Sequence, residues 1–212
     1  MKLKHAIPLL LLILFAASFF VFPIGNPTSG IFWVSIAFLV LSLALHPRNK
    51  SLRFRLDYVR AMPEKKRLLS LFGWGIAALA ASVFVTMALS VLLPLFGISD
   101  TELVAEKVLS LPPLALLLAF TLAPIGEEAL FRGYLLRKLG DVSSSPLAGA
   151  LLSSAIFAAL HFSYGSVSEI VVTFAVALVL CAFTQKTKSL VPAVLAHMSF
   201  NFLSIFFITW LP

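Results

Sequence analysis

Six polar side chains stand where apolar sequence surrounds them. Glu127, Glu128 and Arg132 fall within LAPIGEEALFRGYLL, His161 closes FAALH, and His197 and Asn201 bracket HMSFN. On a helix Glu128 and Arg132 are i and i+4, one above the other in the favourable acid-before-base order. Glu127 lies about 100° round the same helix and cannot share that face. Glu128 therefore has a built-in partner, while Glu127 is left unpaired. An unpaired carboxylate in a low-dielectric setting is poised to act as a general base. His197 and Asn201 are again i and i+4, so imidazole and amide share one face. Buried polar groups need partners, and the economical arrangement brings all three polar faces to one cavity. The competing reading is an amphipathic surface helix over EEALFRGYLLRKL. It is disfavoured because Leu130, Phe131, Tyr134, Leu135 and Leu136 leave no polar face between the charges. His5 and His46 read as interfacial, and Cys181 as packing.

The elements that must hold these residues are membrane helices. Of 212 residues, 60% are hydrophobic and 12% charged, against about 45–50% and about 25% in a soluble domain. Mean hydropathy is +1.04. This composition excludes a soluble globular enzyme, a disordered chain and a disulfide scaffold. It predicts an all-α, polytopic transmembrane bundle of about seven helices. The apolar runs lie near 6–24, 29–46, 68–96, 111–137, 146–164, 168–184 and 189–211. The first reads as an uncleaved helix, and AALAAS (77–82) offers small residues for close helix packing. Basic residues concentrate in 47–67 and after runs four and six (Arg137, Lys138, Lys186, Lys188). The positive-inside rule then predicts a multi-pass protein of the plasma (inner) membrane with a cytosolic N-terminus and an external C-terminus. The net charge of +7 is accounted for by these loops and not by nucleic acid. Residues 1–110 read as N-terminal transmembrane helices and a basic cytosolic loop, and 111–212 as the catalytic helical core of one integrated membrane domain.

EEALFRG (127–133) fits Glu-Glu-x-x-x-Arg, Phe157…His161 fits Phe-x-x-x-His, and His197…Asn201 fits His-x-x-x-Asn. In order and separation these motifs resemble the CPBP family of intramembrane proteases, the type II CAAX prenyl endopeptidases and their bacterial relatives, also called Abi proteins. The resemblance covers residues 111–205, with no departure at the six key positions. It implies that Glu127 activates the hydrolytic water with His161 beside it. It implies that His197 and Asn201 stabilise the oxyanion, while Glu128 and Arg132 hold the site together. The implied partners are membrane lipid and a membrane-associated peptide or protein substrate. Zn²⁺ is an option, with Glu127, His161 and His197 as candidate ligands. The pairing of Glu128 with Arg132 argues against both carboxylates being ligands and favours metal-independent, glutamate-activated water. From another class, a non-proteolytic transporter or immunity-type scaffold would use the same Glu/His cluster for proton or ligand binding. A proton relay needs no Asn one turn after its His, whereas an oxyanion site uses such a donor.

The geometry carries four expectations. Taking each run's midpoint as the bilayer centre, Glu127 and His197 fall about 4–5 Å to the cytosolic side and His161 about 9 Å to the outer side. Closing that gap of about 13 Å requires run five to start deep or tilt strongly, with Pro124, Pro146 and Pro192 as candidate breaks. Arg132 should fold back onto Glu128 instead of snorkelling. Glu169, at the outer start of run six, should lie outside the cluster, and the cavity should open towards the cytosol.

Overall fold

The computed structural model describes residues 27–45 and 64–210. The first expected span and most of the basic 47–67 stretch lie outside the described residues. The described chain is helical: α1 (Pro27–Leu45), α2 (Glu64–Leu95), α3 (Glu102–Leu109), α4 (Pro113–Phe120), α5 (Leu122–Leu130), α6 (Leu136–Val142), α7 (Pro146–Ala159), α8 (Val167–Thr187) and α9 (Val191–Trp210). Five stretches are long and apolar enough to cross a bilayer: Lys66–Leu95, Pro113–Val142, Pro146–Tyr164, Val167–Thr187 and Val191–Trp210. The protein is an integral membrane protein. The second expected run is helical as α1, 19 residues long.

Run three is one unbroken helix, with Pro94 only in its last turn. Its small-residue face does what small residues do in lipid and lets backbones approach closely. Ala78 packs with Val176, Leu180, Ala193 and Ala196 of α8 and α9, and Ser82 is buried beside it in the same helix.

Run four is continuous in direction but interrupted twice. Pro124 has no N–H to offer the carbonyl of Phe120, and the helix is offset at Thr121 between α4 and α5. Past Glu128 the winding loosens to a wide turn over Phe131–Leu135. Such wide turns are frequent at functional sites. The Phe131 carbonyl at this turn accepts from Leu136 N–H and also from Ser153 Oγ across the interface, at 3.1 Å.

The helix then continues to Val142, beyond the hydropathic end of run four, and turns at Ser143–Ser145 with Ser144 at φ 53°. Ser145 caps α7 by accepting from Ala148 N–H, and Pro146 occupies the first turn, where its missing N–H costs nothing. Two glycines make this hairpin close: a Cβ on Gly149 would lie 2.5 Å from the Leu136 carbonyl and 2.7 Å from Gly140 N. α7 ends in a tight 3-10 turn, Leu160–Tyr164, stopped by Gly165 at φ 76°. Lys188 at φ 54° makes the corresponding reversal into α9.

These hairpins decide the register. Glu127 and His161 each lie 17 residues from Ser144, so the two antiparallel arms bring them to the same height. The expected gap between them arose from aligning hydropathic midpoints. The polar turn of α6 extends one arm beyond its apolar run, so the midpoints are not at one level.

Candidate active site

The innermost part of the site is an array on α5, α7 and α9. Glu128 and Arg132 are fully buried. Arg132 folds back as expected, with Nη1 2.9 Å from Glu128 Oε1, and its guanidinium lies 4.5 Å from the centre of the Phe157 ring. Glu128 also binds His197: Nδ1 to Oε1 is 2.8 Å. A carboxylate only accepts, so His197 Nδ1 carries the proton and donates. That bond aims Nε2 at the neighbouring carboxylate, Glu127, 3.7 Å away. Glu127 is thus faced by an imidazole and is not without a neighbour, as the spacing alone implied. The separation is beyond a hydrogen bond and within the reach of a bridging water.

His161 is set from the other side. Its Nδ1 is 3.0 Å from the Phe157 carbonyl, an acceptor, so Nδ1 donates and Nε2 is left available. The ring is stacked on Tyr164, with centroids 5.9 Å apart and planes 10° from parallel, and packs on Phe157 at 4.9 Å. Phe157 also meets the His197 ring edge-to-face at 5.9 Å. The phenylalanine of the Phe-x-x-x-His pattern therefore touches Arg132 and both histidines. Asn201 does something the resemblance did not imply: Nδ2 donates to the Ala119 carbonyl at 3.0 Å. That carbonyl sits beside the Thr121 offset, so the amide ties α9 to α4 at the break.

Glu127, His161, His197 and Asn201 all line one cavity of about 750 Å³, together with Phe157, Tyr164 and apolar residues of α1, α4, α8 and α9. Gly126, just before Glu127, lets α1 form the wall: a Cβ there would lie 2.5 Å from the Ser35 carbonyl. The cavity's lining includes no residue of α6, which carries Arg137 and Lys138, and takes in Lys107 of α3. Glu169, in the first turn of α8, also lines it. Among the described residues, no three His, Cys, Asp or Glu side chains converge into a metal-ligand set. Of the candidate ligands, His161 and His197 each have Nδ1 engaged, which leaves one Nε2 apiece beside the Glu127 carboxylate.

α3 adds Val104, Lys107 and Val108 to the lining. Lys107 Nζ donates to the Ser163 carbonyl and lies 5.7 Å from the Tyr164 ring centre. Asp100, just before α3, accepts from Ser166 Oγ at 2.9 Å, Val167 N–H at 2.6 Å and Ser168 N–H at 3.0 Å. Its carboxylate thus caps α8, where a negative charge is favoured. The hydrogen bonds, led by Ser168, hold its pKa down at about 2.

With this geometry in view, comparison with known proteins points to one family. Residues 109–203 match the family described as Type II CAAX prenyl endopeptidase Rce1-like. The match covers 95 of the 212 residues, a little under half of the chain, and makes this region similar to that protease family. A curated relative, an uncharacterized 24.3 kDa protein of Escherichia coli, is 33% identical over 108 residues. That alignment covers 50% of this chain and 50% of the relative. No solved structure matches the chain.

Proposed function

We propose that the protein is an intramembrane endopeptidase that hydrolyses a peptide bond with water activated by Glu127. The observation that carries this is the fixed chain Arg132–Glu128–His197, which aims an imidazole nitrogen at Glu127 on the wall of a cavity. Glu127 takes a proton from water as the water oxygen attacks the scissile carbonyl carbon. The negative charge that develops on the carbonyl oxygen is met by donors from α7 and α9: His161 through Nε2 when protonated, and the second N–H of the Asn201 amide. When the tetrahedral intermediate collapses, the proton held by Glu127 passes to the leaving amine. Glu128 and Arg132 act through His197, holding its tautomer and direction. The apolar cavity accepts a segment of a membrane-associated peptide or protein.

The test compares peptide termini in membranes carrying wild type and Glu127→Gln, with protein abundance matched. New termini that vanish with Glu127→Gln are expected. An unchanged set of termini, together with loss of any associated phenotype, would sink the protease reading and leave the non-proteolytic one.

A further inference from the structure

We infer that Glu169 is a specificity residue of this same site, receiving a cationic group of the substrate, a lysine or arginine side chain or a free α-amino group. The inference rests on the hydrolase reading and adds to it a chemical class of substrate. Four observations support it. First, Glu169 lines the cavity that contains Glu127, His161 and His197. Second, the α7–α8 reversal brings it to the working level: His161 and Glu169 each lie 4 residues from Gly165. Tyr164, which stacks on His161, is within electrostatic reach of both Glu127 and Glu169.

Third, its side chain is not spent on capping. Ser166 and Glu169 have the spacing of a capping box, in which the glutamate reaches back to the N-cap N–H. Here Ser166 Oγ accepts from Glu169 N–H at 3.0 Å, but the carboxylate turns forward and accepts from Thr173 Oγ1 at 3.1 Å. Thr173 also lines the cavity. Fourth, among the described residues no cation lies within ion-pair distance of Glu169. The nearby Lys107 is engaged with Ser163 and Tyr164. A carboxylate held by one hydroxyl in a mostly apolar cavity rejects a neutral or acidic group there and favours a cation.

The probe is a set of fluorescence-quenched apolar peptides presented to the full-length protein in phosphatidylethanolamine/phosphatidylglycerol vesicles. Each carries Lys, Arg, Gln or Glu at one of successive positions, with the N-terminus free or acetylated. Wild type should favour Lys and Arg at one fixed position, or the free amine over the acetylated one, by about tenfold in kcat/KM. The second pattern would identify the α-amino group as the source. Glu169→Gln should abolish the preference, Glu169→Asp should retain it, and Glu169→Lys should transfer it to the Glu peptides. Absence of a preference in wild type, its survival in Glu169→Gln, or an equal loss on every peptide would each overturn the inference. If Glu127→Gln cleaves as well as wild type, the hydrolase reading fails as well. If only the Glu169 results fail, that reading stands.

Discussion

Two adjacent carboxylates on one helix meet opposite fates. Glu128 is sealed, with no side-chain exposure, and holds both Arg132 and His197. Glu127 is 19% exposed on the cavity wall, where His197 approaches it to 3.7 Å. The difference is one residue of helical rotation, about 100°. It teaches that the site separates a charged group that builds from a charged group that is left reactive, and that the same histidine links the two.

The sharpest way to break this comparison is to neutralise each carboxylate in turn. Glu127→Gln should lower cleavage by about 10²–10⁴-fold, the usual weight of a general base, with an unchanged melting temperature in detergent. Glu128→Gln or Arg132→Ala should instead destabilise the fold by about 3–5 kcal/mol, because each strands a buried charge; unfolding in graded SDS would measure it. Equal activity loss with wild-type stability in all three variants would erase the distinction. Gly126→Ala probes the wall beside Glu127. Its methyl group would press on the Ser35 carbonyl, and overpacking of this kind costs about 1–3 kcal/mol, read as a lower melting temperature and weaker peptide binding.

Chelation sharpens the chemistry on the Glu127 side. Exhaustive treatment with a Zn²⁺-competent chelator should leave most of the activity. Loss restored by added Zn²⁺, with about one equivalent bound per chain, would recast His161 and His197 as ligands. The smallest effect belongs to Asp100, far from both carboxylates. Its folded pKa lies below its ordinary value, so its contribution to stability is present above about pH 4 and is lost as pH falls through about 2. Asp100→Asn should flatten that part of the stability–pH curve, followed by melting between pH 5 and 2.

How far the sequence could be read depended on whether a feature is local. The Glu128–Arg132 pair and the shared face of His197 and Asn201 are one helical turn apart, and helix geometry alone supplies them. The Asn201–Ala119 bond was not legible, because it joins residues 82 apart and depends on α9 lying alongside α4. Glu169 lies in the first turn of α8, where hydropathy put it, but that it lines the cavity depends on the reversal at Gly165 and was not legible. The signal was available in the chain: counting outward from the turn residues Ser144 and Gly165 aligns Glu127, His161 and Glu169 better than span midpoints do.

The sequence by itself determined a lipid-embedded helical protein, its six polar motif residues and the division between a paired and a differently oriented glutamate. Those follow from composition and from 3.6-residue periodicity, which act within a single segment. Only the tertiary structure decided that His197 binds Glu128 and faces Glu127, and that α1, α3 and Glu169 belong to the cavity's walls. Each of these depends on which helices lie side by side and at what register. Hydropathy carries little of that information, since in lipid an apolar face looks alike to every neighbour, and small residues and turns set the fit.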